Sequence, residues 1–297
     1  MIDLFETMDI TLTAAREQFI SFLKEKHRSS STILAYGKDI EQIIDYLKSQ
    51  KVEFPNQTSS ELLQSFMQKL AHESYTPKSI SRKTNSTKTF FKFLKNAALI
   101  DTDPAISLEH PSFETKPPRI LSKMEYRALR DAARGDTRMS AIIELLLQSG
   151  IRIGELAKVT VDDVRLETEN PNIYVRIEEG SAERTIPLTK SVIEAIKKYL
   201  EIRPQTQSKA LFITKTGRPL LVRNIRTAID RYFRLAGIKG AKVNDLRHTW
   251  VTHQLSSGLS LSVISKLAGH KRVSTTEKYL QYVPARTSED KIKLEEL

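Results

Sequence analysis

Tyr279 lies near the end of a short stretch, LAGHKRVSTTEKYL, in which His270 follows Gly269 and the tyrosine comes nine residues after the histidine. A phenol is a poor nucleophile at neutral pH because its pKa is about 10. Attack on a phosphodiester also builds negative charge on the non-bridging oxygens, and without a metal that charge calls for guanidinium groups. Whether Tyr279 can do this chemistry, or is an ordinary half-buried aromatic, therefore depends on arginines elsewhere in the chain.

Two arginines lie in apolar surroundings, where an arginine usually has an anionic partner. Arg152 follows the apolar helical run that ends in LLLQSG, and Arg247 lies inside VNDLRHTWVTHQL. A planar guanidinium can pair two phosphate oxygens at once, which suits a phosphate site. The alternative is that each arginine forms a structural ion pair, Arg152 with Glu155 or Arg247 with Asp245. Spacing and residue chemistry leave both interpretations open.

The composition is that of a soluble globular protein, with 39% hydrophobic and 28% charged residues among 297. Lys and Arg number 47 against 36 Asp and Glu, and this net charge of +11 favours a polyanionic partner such as nucleic acid. The absence of cysteine excludes disulfides, zinc-thiolate sites and thiol nucleophiles. It also fits the reducing interior of a cell. No signal peptide or membrane-spanning stretch is recognised, so we expect a cytoplasmic protein.

Two domains joined by a linker are expected from the distribution of helical patterns and prolines. Helical apolar spacing recurs near residues 10–25, 30–49, 58–72 and 77–97. The stretch PAISLEHPSFETKPP follows with four prolines, and beyond it Ser122 and Glu125 form a capping-box pattern that begins a new helix. These features predict a helical N-terminal domain at 1–107, a linker at 108–119 and a second domain at 120–297.

The second domain is predicted to be mainly helical with one small β-hairpin. Ile173, Val175 and Ile177 alternate with polar side chains as in a half-buried strand, and RTIPL provides a return strand with Gly180 in the turn. Helices are predicted near 189–202, 221–236, 243–257, 260–268 and 274–282, the last of which carries the tyrosine. The fold class is therefore mainly α with a small β-hairpin or sheet.

The helix predicted from Pro77 to Lys95 has six basic residues and no acidic ones. At about 100° per residue, five of the cations share one face: Lys78, Arg82, Lys88, Lys92 and Lys95. The opposite face is apolar and is expected to meet the core: Ile80, Phe90, Phe91 and Leu94. A basic stripe opposite an apolar stripe favours a helix that lies along a DNA phosphate backbone. The alternative is a solvated charged face, which more often mixes signs.

Four motifs, SGIRIGEL, LRHTWVTHQL, LAGH and STTEKYL, occur in the order and at the spacing of the tyrosine recombinases, the phage-integrase family. The chain resembles the Xer-like branch most, and SISRKTNSTKTFFKFL is similar to the last helix of that family's SAM-like core-binding domain. The resemblance implies a two-domain clamp on a double-stranded DNA target site. It also implies a covalent 3′-phosphotyrosine, no metal or cofactor, and strand exchange in a homo-tetramer or a hetero-tetramer with a related recombinase.

By that resemblance, Arg152 and Arg247 would hold the scissile phosphate, His270 would bond it or assist proton transfer, and Tyr279 would attack it. Glu155 would brace Arg152.

Three further residues fall outside the matching positions. Tyr282 lies on nearly the same helix face as the nucleophile, but its distance from the LAGH motif does not match, so we expect it to pack. His248 and His253 lie on the helix that carries the second arginine, and we expect neither to take part in the chemistry.

The sequence departs from the family pattern at two positions. Asn244 stands where a histidine usually precedes the second arginine; an amide can donate to a phosphate oxygen but cannot take up a proton. The hairpin usually carries a lysine that protonates the leaving oxygen, and alignment places Glu179 there. No lysine occurs between Val159 and Thr189, and Arg184 holds its proton too tightly to be a good acid.

Two functions follow. The first is a site-specific recombinase that cuts and rejoins DNA through Tyr279. The second is a recombinase-like DNA-binding accessory or regulatory protein with weakened cleavage, which the two departures favour.

We also expect a short amphipathic helix in TSEDKIKLEEL that docks on a neighbouring protomer, the alternative being a frayed tail. The target sequence, the host and the choice between chromosome or plasmid resolution, integration and transposon mobility cannot be read from the residues.

Overall fold

The computed structural model of the protein describes residues 10–114, 117–176 and 183–283. It divides into two compact units, with the division after residue 116. Both units are mainly helical, and the second contains a small sheet, so the predicted fold class is confirmed. None of the helices in the described ranges is long and apolar enough to cross a membrane.

The N-terminal unit is built from α1 (Leu12–Glu25), α2 (Ser30–Ser49), α3 (Ser60–His72) and α4 (Pro77–Asn96), with a 3-10 turn at Pro55–Gln57. A hydroxyl side chain caps the start of each α-helix: Thr11, Ser29, Ser59 and Thr76. Each hydroxyl accepts from a backbone N–H that has no partner within its helix. The capping residues therefore explain where the four helices begin.

The apolar faces of these helices pack together in one core, which includes an aromatic group of Phe19, Phe22, Phe90 and Phe93. The predicted inner face of α4 is confirmed, because Ile80, Phe90, Phe91 and Leu94 are all buried. Leu108, at the start of the predicted linker, also packs into this core.

In its described residues, the second unit contains eight α-helices, two 3-10 turns and a small sheet. The helices are α5 (Lys123–Ala133), α6 (Thr137–Ser149), α7 (Ile153–Leu156), α8 (Lys190–Ile202), α9 (Val222–Leu235), α10 (Val243–Ser256), α11 (Leu261–Ala268) and α12 (Ser274–Glu277). Short 3-10 turns lie at Val161–Asp163 and Leu280–Tyr282. Apolar α6 lies at the centre and packs against α5, α8, α9 and α10.

The sheet has the antiparallel order β1 (Val164–Arg165), β2 (Asn172–Val175) and β3 (Arg184–Pro187). The predicted hairpin is present as β2 and β3, with Ile173 opposite Ile186 on the buried face. Two-residue β1 was not predicted, since it is too short to show an alternating pattern. Ile177 and Gly180 of the predicted hairpin lie outside the described residues.

The prediction of one helix through 274–282 was wrong. The α-helix ends at Glu277, and Tyr279 lies between it and a 3-10 turn. The Thr276 hydroxyl is hydrogen-bonded to His270, and the Tyr279 ring packs into an apolar cluster. Thr276 and Tyr279 are three residues apart and share a face in an α-helix and in a 3-10 turn alike, so their spacing does not show where the α-helix ends.

Candidate active site

The first arginine is positioned by the sharp end of α6. Gly150 adopts a left-handed φ of 61°, and a Cβ there would overlap the ring of Trp250. The chain then turns so that Arg152 becomes the N-cap of α7, and its backbone N–H donates to Glu155 at 2.8 Å. A glycine is therefore required just before the arginine, both for its φ and for the packing of the tryptophan.

Glu155 holds two arginines at once. Arg152 Nη1 donates to its Oε1 at 2.8 Å, and Arg184 Nη1 and Nη2 donate to Oε1 and Oε2 at 3.0 and 2.7 Å. Burial opposes ionisation of this carboxyl, but the hydrogen bonds and charges of the two arginines outweigh it and lower its pKa to about 2. The expected bracing of Arg152 by Glu155 is present, with Arg184 as an additional partner.

Arg247 is buried and only partly satisfied. Its Nη1 donates to the carbonyl oxygen of Gly150, whereas Nη2 has no hydrogen-bond partner among the described residues. Asp245 instead accepts from the backbone N–H of Lys242 at 2.7 Å, and no described carboxylate lies within ion-pair distance of Arg247. Burial, followed by the charge of Arg152, lowers the pKa of Arg247 to about 10. The guanidinium thus stays charged at neutral pH, and it has one N–H group that no described residue accepts.

Gly269 brings the end of α11 against the same arginines. It adopts a φ of 65° as the left-handed C-cap, as the sequence predicts. Its carbonyl oxygen accepts from Arg152 Nη2 at 2.7 Å, and an added Cβ would lie 2.8 Å from Arg184 Nη1. Any side chain here would therefore push against the arginine pair.

His270 follows that turn and lies among the positive charges. Its Nδ1 lies 2.8 Å from the hydroxyl oxygen of Thr276. Burial, then the charges of Arg247, Arg152 and Arg184, lower the pKa of His270 to about 4. The ring is consequently neutral at physiological pH. If Thr276 donates to Nδ1, the ring proton is on Nε2, which can donate to an anion.

Tyr279 is buried, and its hydroxyl oxygen lies 2.6 Å from Nδ1 of His248. The Nε2 of His248 in turn lies 2.7 Å from Nδ2 of Asn244. The phenol ring stacks on the His270 ring at 6.2 Å between centroids with an angle of 10° between planes. Burial raises the pKa of Tyr279, against the charge of Arg247. The tyrosine is therefore protonated and hydrogen-bonded to a histidine.

Sequence reasoning gave His248 no part in this arrangement, and it also missed the contact between Arg184 and Glu155. One signal was available, because Asn244 and His248 are four residues apart on a helix and so lie on one face. Adjacency to Arg247 was a second signal. The partners of Arg184 depend on strand pairing that brings β3 to α7, which local spacing does not reveal.

Two other residues singled out in the sequence make no side-chain hydrogen bond to the site residues described above. His253 is exposed on α10, and Tyr282 is half-buried in the 3-10 turn after Tyr279. Glu179 lies outside the described residues, as does the predicted C-terminal helix at 287–297.

A cleft of about 460 Å³ lies beside the arginines. Its polar lining is Arg152, Arg226, Asp230, Lys242, Asn244 and Arg247. Four cations against one carboxylate make this cleft suited to a phosphate group. Within the described ranges, no group of three or more His, Asp or Glu side chains is arranged to hold a metal ion.

The basic face of α4 is a second candidate surface, in the N-terminal unit. Lys78, Arg82, Lys92 and Lys95 are exposed, and half-buried Lys88 donates to the carbonyl oxygen of Ile106 at 3.2 Å.

One member of that face has a structural partner. Arg82 is ion-paired with buried Asp39, which also accepts from Lys83 Nζ at 3.0 Å and from the Ser86 hydroxyl at 3.1 Å. Lys83 is buried, and its Nζ also donates to Gln42 at 2.6 Å. Part of the positive charge of α4 is thus compensated within the domain.

The chain was compared with known proteins. The family model for the phage integrase family matches residues 119–286, and the model for the phage integrase N-terminal SAM-like domain matches residues 17–98. A tyrosine recombinase XerD from Staphylococcus epidermidis is 30% identical over 274 residues, which cover 89% of this chain and 92% of the relative.

Two solved structures share the fold. The integrase of transposon Tn1549, in complex with a circular intermediate DNA, aligns with a TM-score of 0.74 and 18% identity over 91% of this chain and 94% of its own. A lambda integrase dimer bound to a COC′ core site also gives a TM-score of 0.74, with 16% identity over 96% and 81% of the two chains. With both family models matched in order along the sequence, the chain belongs to the phage integrase family of site-specific tyrosine recombinases.

Proposed function

We propose that this recombinase cuts and rejoins double-stranded DNA through the hydroxyl of Tyr279, with Arg152, Arg247, His270 and Asn244 as the rest of its site. The observation that carries the proposal is Arg247, whose buried Nη2 has no hydrogen-bond partner in the part of the chain that the structure describes. A buried donor without an acceptor costs about 1–3 kcal/mol, or more when charged, so its retention points to a ligand that supplies the acceptor. A scissile phosphate oxygen is such an acceptor.

The charge balance of the site supports a phosphate. Arg152, Arg184 and Arg247 converge on it, and Glu155 is the carboxylate that they face. Glu155 and Arg184 fix the Arg152 side chain before any substrate arrives. A preorganised guanidinium needs no rearrangement as charge develops on the non-bridging oxygens, and this is the most effective form of electrostatic catalysis.

In the proposed reaction, Arg152 and Arg247 bind non-bridging oxygens, and neutral His270 donates a hydrogen bond to one of them. The Tyr279 oxygen attacks phosphorus to form a 3′-phosphotyrosine, and the 5′-oxygen leaves. Attack by a 5′-hydroxyl on the phosphotyrosine then rejoins a strand. Guanidinium groups supply the charge stabilisation, so we propose that no metal or cofactor is used.

The proposed partner is a double-stranded DNA target site, and the basic face of α4 is the proposed backbone contact of the N-terminal domain, at 1–107. The DNA-bound Tn1549 and lambda integrase structures support a DNA partner. We propose that strand exchange takes place in a tetramer, of this chain alone or with a related recombinase, and that the protein acts in the cytoplasm. The catalytic domain, at 120–297, would supply the tyrosine.

Nicked DNA tests this proposal, because a nick beside the cleavage point lets the short product diffuse away and the covalent adduct accumulate. Sequencing DNA that is trapped on the protein identifies the target and supplies the substrate. Tyr279→Phe is expected to abolish the adduct on a denaturing gel while leaving DNA affinity nearly unchanged. Tyr282→Phe is the matched control and should change neither adduct formation nor DNA affinity. An adduct that persists in Tyr279→Phe would show that another residue attacks.

A weakened recombinase that acts mainly as a DNA-binding accessory is the second candidate. The specific observation in its favour is Arg184, which occupies β3 with both terminal nitrogens committed to Glu155, in a stretch that has no lysine. Loss of one general acid typically lowers a rate about 10²–10⁴-fold.

Glu179→Lys separates the two candidates. If the missing acid limits cleavage, the lysine should speed adduct formation on ordinary DNA and have less effect on DNA with a 5′-bridging sulfur, whose leaving group needs little protonation. If the native protein already cleaves well, the substitution should leave the rate unchanged.

A further inference from the structure

We infer that His248 is the general base that takes the proton from Tyr279, and that Asn244 is the residue that positions it. The inference deepens the proposed function and rests on it. The supporting geometry is a continuous chain of three side chains: the Tyr279 hydroxyl lies 2.6 Å from His248 Nδ1, and His248 Nε2 lies 2.7 Å from the Asn244 amide. A nucleophile, a base within hydrogen-bond reach and a third group that orients the base are the parts of a nucleophilic triad.

The other groups near the tyrosine are unsuited to this task. His270 is engaged with Thr276 through Nδ1, and its pKa of about 4 makes it a weak base. Both oxygens of Glu155 accept from arginines, and its pKa is about 2. Among the described residues, His248 is the one whose side chain hydrogen-bonds the Tyr279 hydroxyl.

The protonation state of His248 fits the role of an acceptor. Burial lowers the pKa of His248, the charge of Asp245 raises it, and the charge of Arg247 lowers it. From the neighbouring segment, neutral His270 and the Tyr279 hydroxyl face the same ring. The imidazole is therefore neutral at physiological pH. With the Asn244 NH₂ facing Nε2, the ring proton is on Nδ1. With the amide turned by 180°, its Oδ1 accepts from Nε2–H instead, and Nδ1 then has the lone pair that takes the phenol proton.

Asn244 is suited to hold this ring in either protonation state. A neutral imidazole has one donor nitrogen and one acceptor nitrogen, and an imidazolium has two donors. An amide presents an NH₂ on one side and a carbonyl on the other, so rotation about its last bond matches whichever form Nε2 takes. The family's usual histidine at this position would compete for the proton, whereas an amide cannot take it.

The Tyr279 proton moves to His248 Nδ1 while the phenol oxygen forms the bond to phosphorus. The bond from phosphorus to the 5′-oxygen breaks, and that oxygen keeps the electron pair and takes a proton from water. His248 then returns its proton to the water, so that one phosphodiester bond is exchanged for another without net consumption of acid or base.

The test is the single-turnover rate of adduct formation on the nicked target DNA. His248→Gln keeps a hydrogen-bonding side chain but cannot take a proton, and we expect its rate to fall about 10²–10⁴-fold. The defect should be equally large on DNA with a 5′-bridging sulfur, since a base acts on the nucleophile and not on the leaving group. Added imidazole should partly restore His248→Ala. His253→Gln, an exposed histidine on the same helix, is the control and should behave as the wild type.

The dependence on pH separates a base from a packing residue. The wild-type rate should fall as pH drops through the pKa of His248, below the usual 6.5, while His270 stays neutral until about pH 4. This acid limb should vanish in His248→Gln. Asn244→Asp should move it to higher pH, because a carboxylate favours the imidazolium. Asn244→Ala should slow adduct formation without removing the limb.

Three outcomes would overturn the inference while the proposed function stands: an unchanged rate in His248→Gln, a defect that disappears on the sulfur-containing DNA, or a faster rate. The last would mean that His248 holds Tyr279 in an inactive position. Absence of any adduct with the wild-type protein would instead overturn the proposed function, and the inference with it.

Discussion

Each unit of this recombinase contains a buried carboxylate that holds two cations, yet only one of these clusters is a candidate for chemistry. Asp39 in the N-terminal unit pairs with Arg82 and Lys83. Glu155 in the second unit pairs with Arg152 and Arg184. Both carboxylate side chains are 2% exposed, so burial alone does not distinguish the clusters.

The difference lies in what is left over. Around Asp39 the buried partners satisfy one another, because Lys83 also donates to Gln42 and Ser86 donates to Asp39. Around Glu155 a third guanidinium, Arg247, lies close enough to lower the pKa of His270, and it has one N–H donor that no described residue accepts. A closed cluster stabilises a fold, and one with an unmatched cation can bind an anion.

The largest effect is expected from opening the closed cluster. Asp39→Asn leaves Lys83 buried without a counter-charge, and breaking one partner of a buried pair typically costs about 3–5 kcal/mol. Thermal or denaturant unfolding of the N-terminal unit should show this loss. The exposed Asp45→Asn on the same helix should change stability little. If Asp39→Asn is as stable as the wild type, the Asp39 cluster does not stabilise the fold, and the contrast with the Glu155 cluster is wrong.

Arg247→Lys tests the open cluster. Lysine keeps a positive charge but lacks the planar fork, so it cannot hold both Gly150 and a phosphate oxygen in the same geometry. We expect adduct formation to slow about 10²–10³-fold, the usual effect of losing one preorganised donor. DNA affinity, measured by titration at fixed salt, should remain within a few-fold, because most contacts lie elsewhere. A large loss of affinity with an unchanged rate would place Arg247 in binding and not in catalysis.

Glu155→Gln is expected to have a slightly smaller effect on stability, with a defined dependence on pH. A carboxyl whose pKa falls from 4.5 to about 2 on folding contributes about 3 kcal/mol. Because the pKa is lowered in the folded protein, this contribution is complete above pH 4.5 and is lost as pH falls toward 2. The difference in free energy of unfolding between wild type and Glu155→Gln should therefore disappear as pH falls toward 2. The exposed Glu194→Gln should show no such gap, and a gap that is constant with pH would contradict the assignment.

Much of the fold follows from local patterns, since the helix faces of α4 and the end of α11 at Gly269 depend on residues a few positions apart. The segment that carries Tyr279 was less predictable, because Thr276 and Tyr279 share a face in an α-helix and in a 3-10 turn alike, so helical periodicity does not show where the α-helix ends. Two-residue β1 is held by its pairing with β2, which no short window of sequence contains.

Within the site, Arg152, Arg247, His270 and Tyr279 were found from motifs, whereas their interactions were not. The side chain of His248 could have faced solvent or the tyrosine, and only the packing of α10 against the turn at 280–282 decides this. The partner of Arg184 likewise depends on where a strand meets a distant helix. Residue types and spacing thus identified candidate groups, and tertiary contacts determined which of them interact.

The smallest expected effect concerns the basic face of α4, where the comparison between paired and unpaired cations can be made on one helix. Lys92 is exposed and has no partner among the described residues, whereas Arg82 is 45% exposed and paired with Asp39. Each phosphate contact that is lost should lower the slope of log affinity against log salt by about 0.9. Lys92→Ala should show this full change on any DNA sequence.

Arg82→Ala should change the salt slope by less, because part of its charge is already neutralised by Asp39 and is not free to replace counterions on DNA. Its effect on stability should be the larger of the two for the same reason. Lys69→Ala, an exposed lysine on α3 that pairs with Glu73, serves as the control and should leave the slope unchanged. Equal slopes for Lys92→Ala and the wild type would mean that the basic face is only solvated. Equal changes in salt slope for Lys92→Ala and Arg82→Ala would show that Arg82 leaves Asp39 when DNA binds and contacts a phosphate instead.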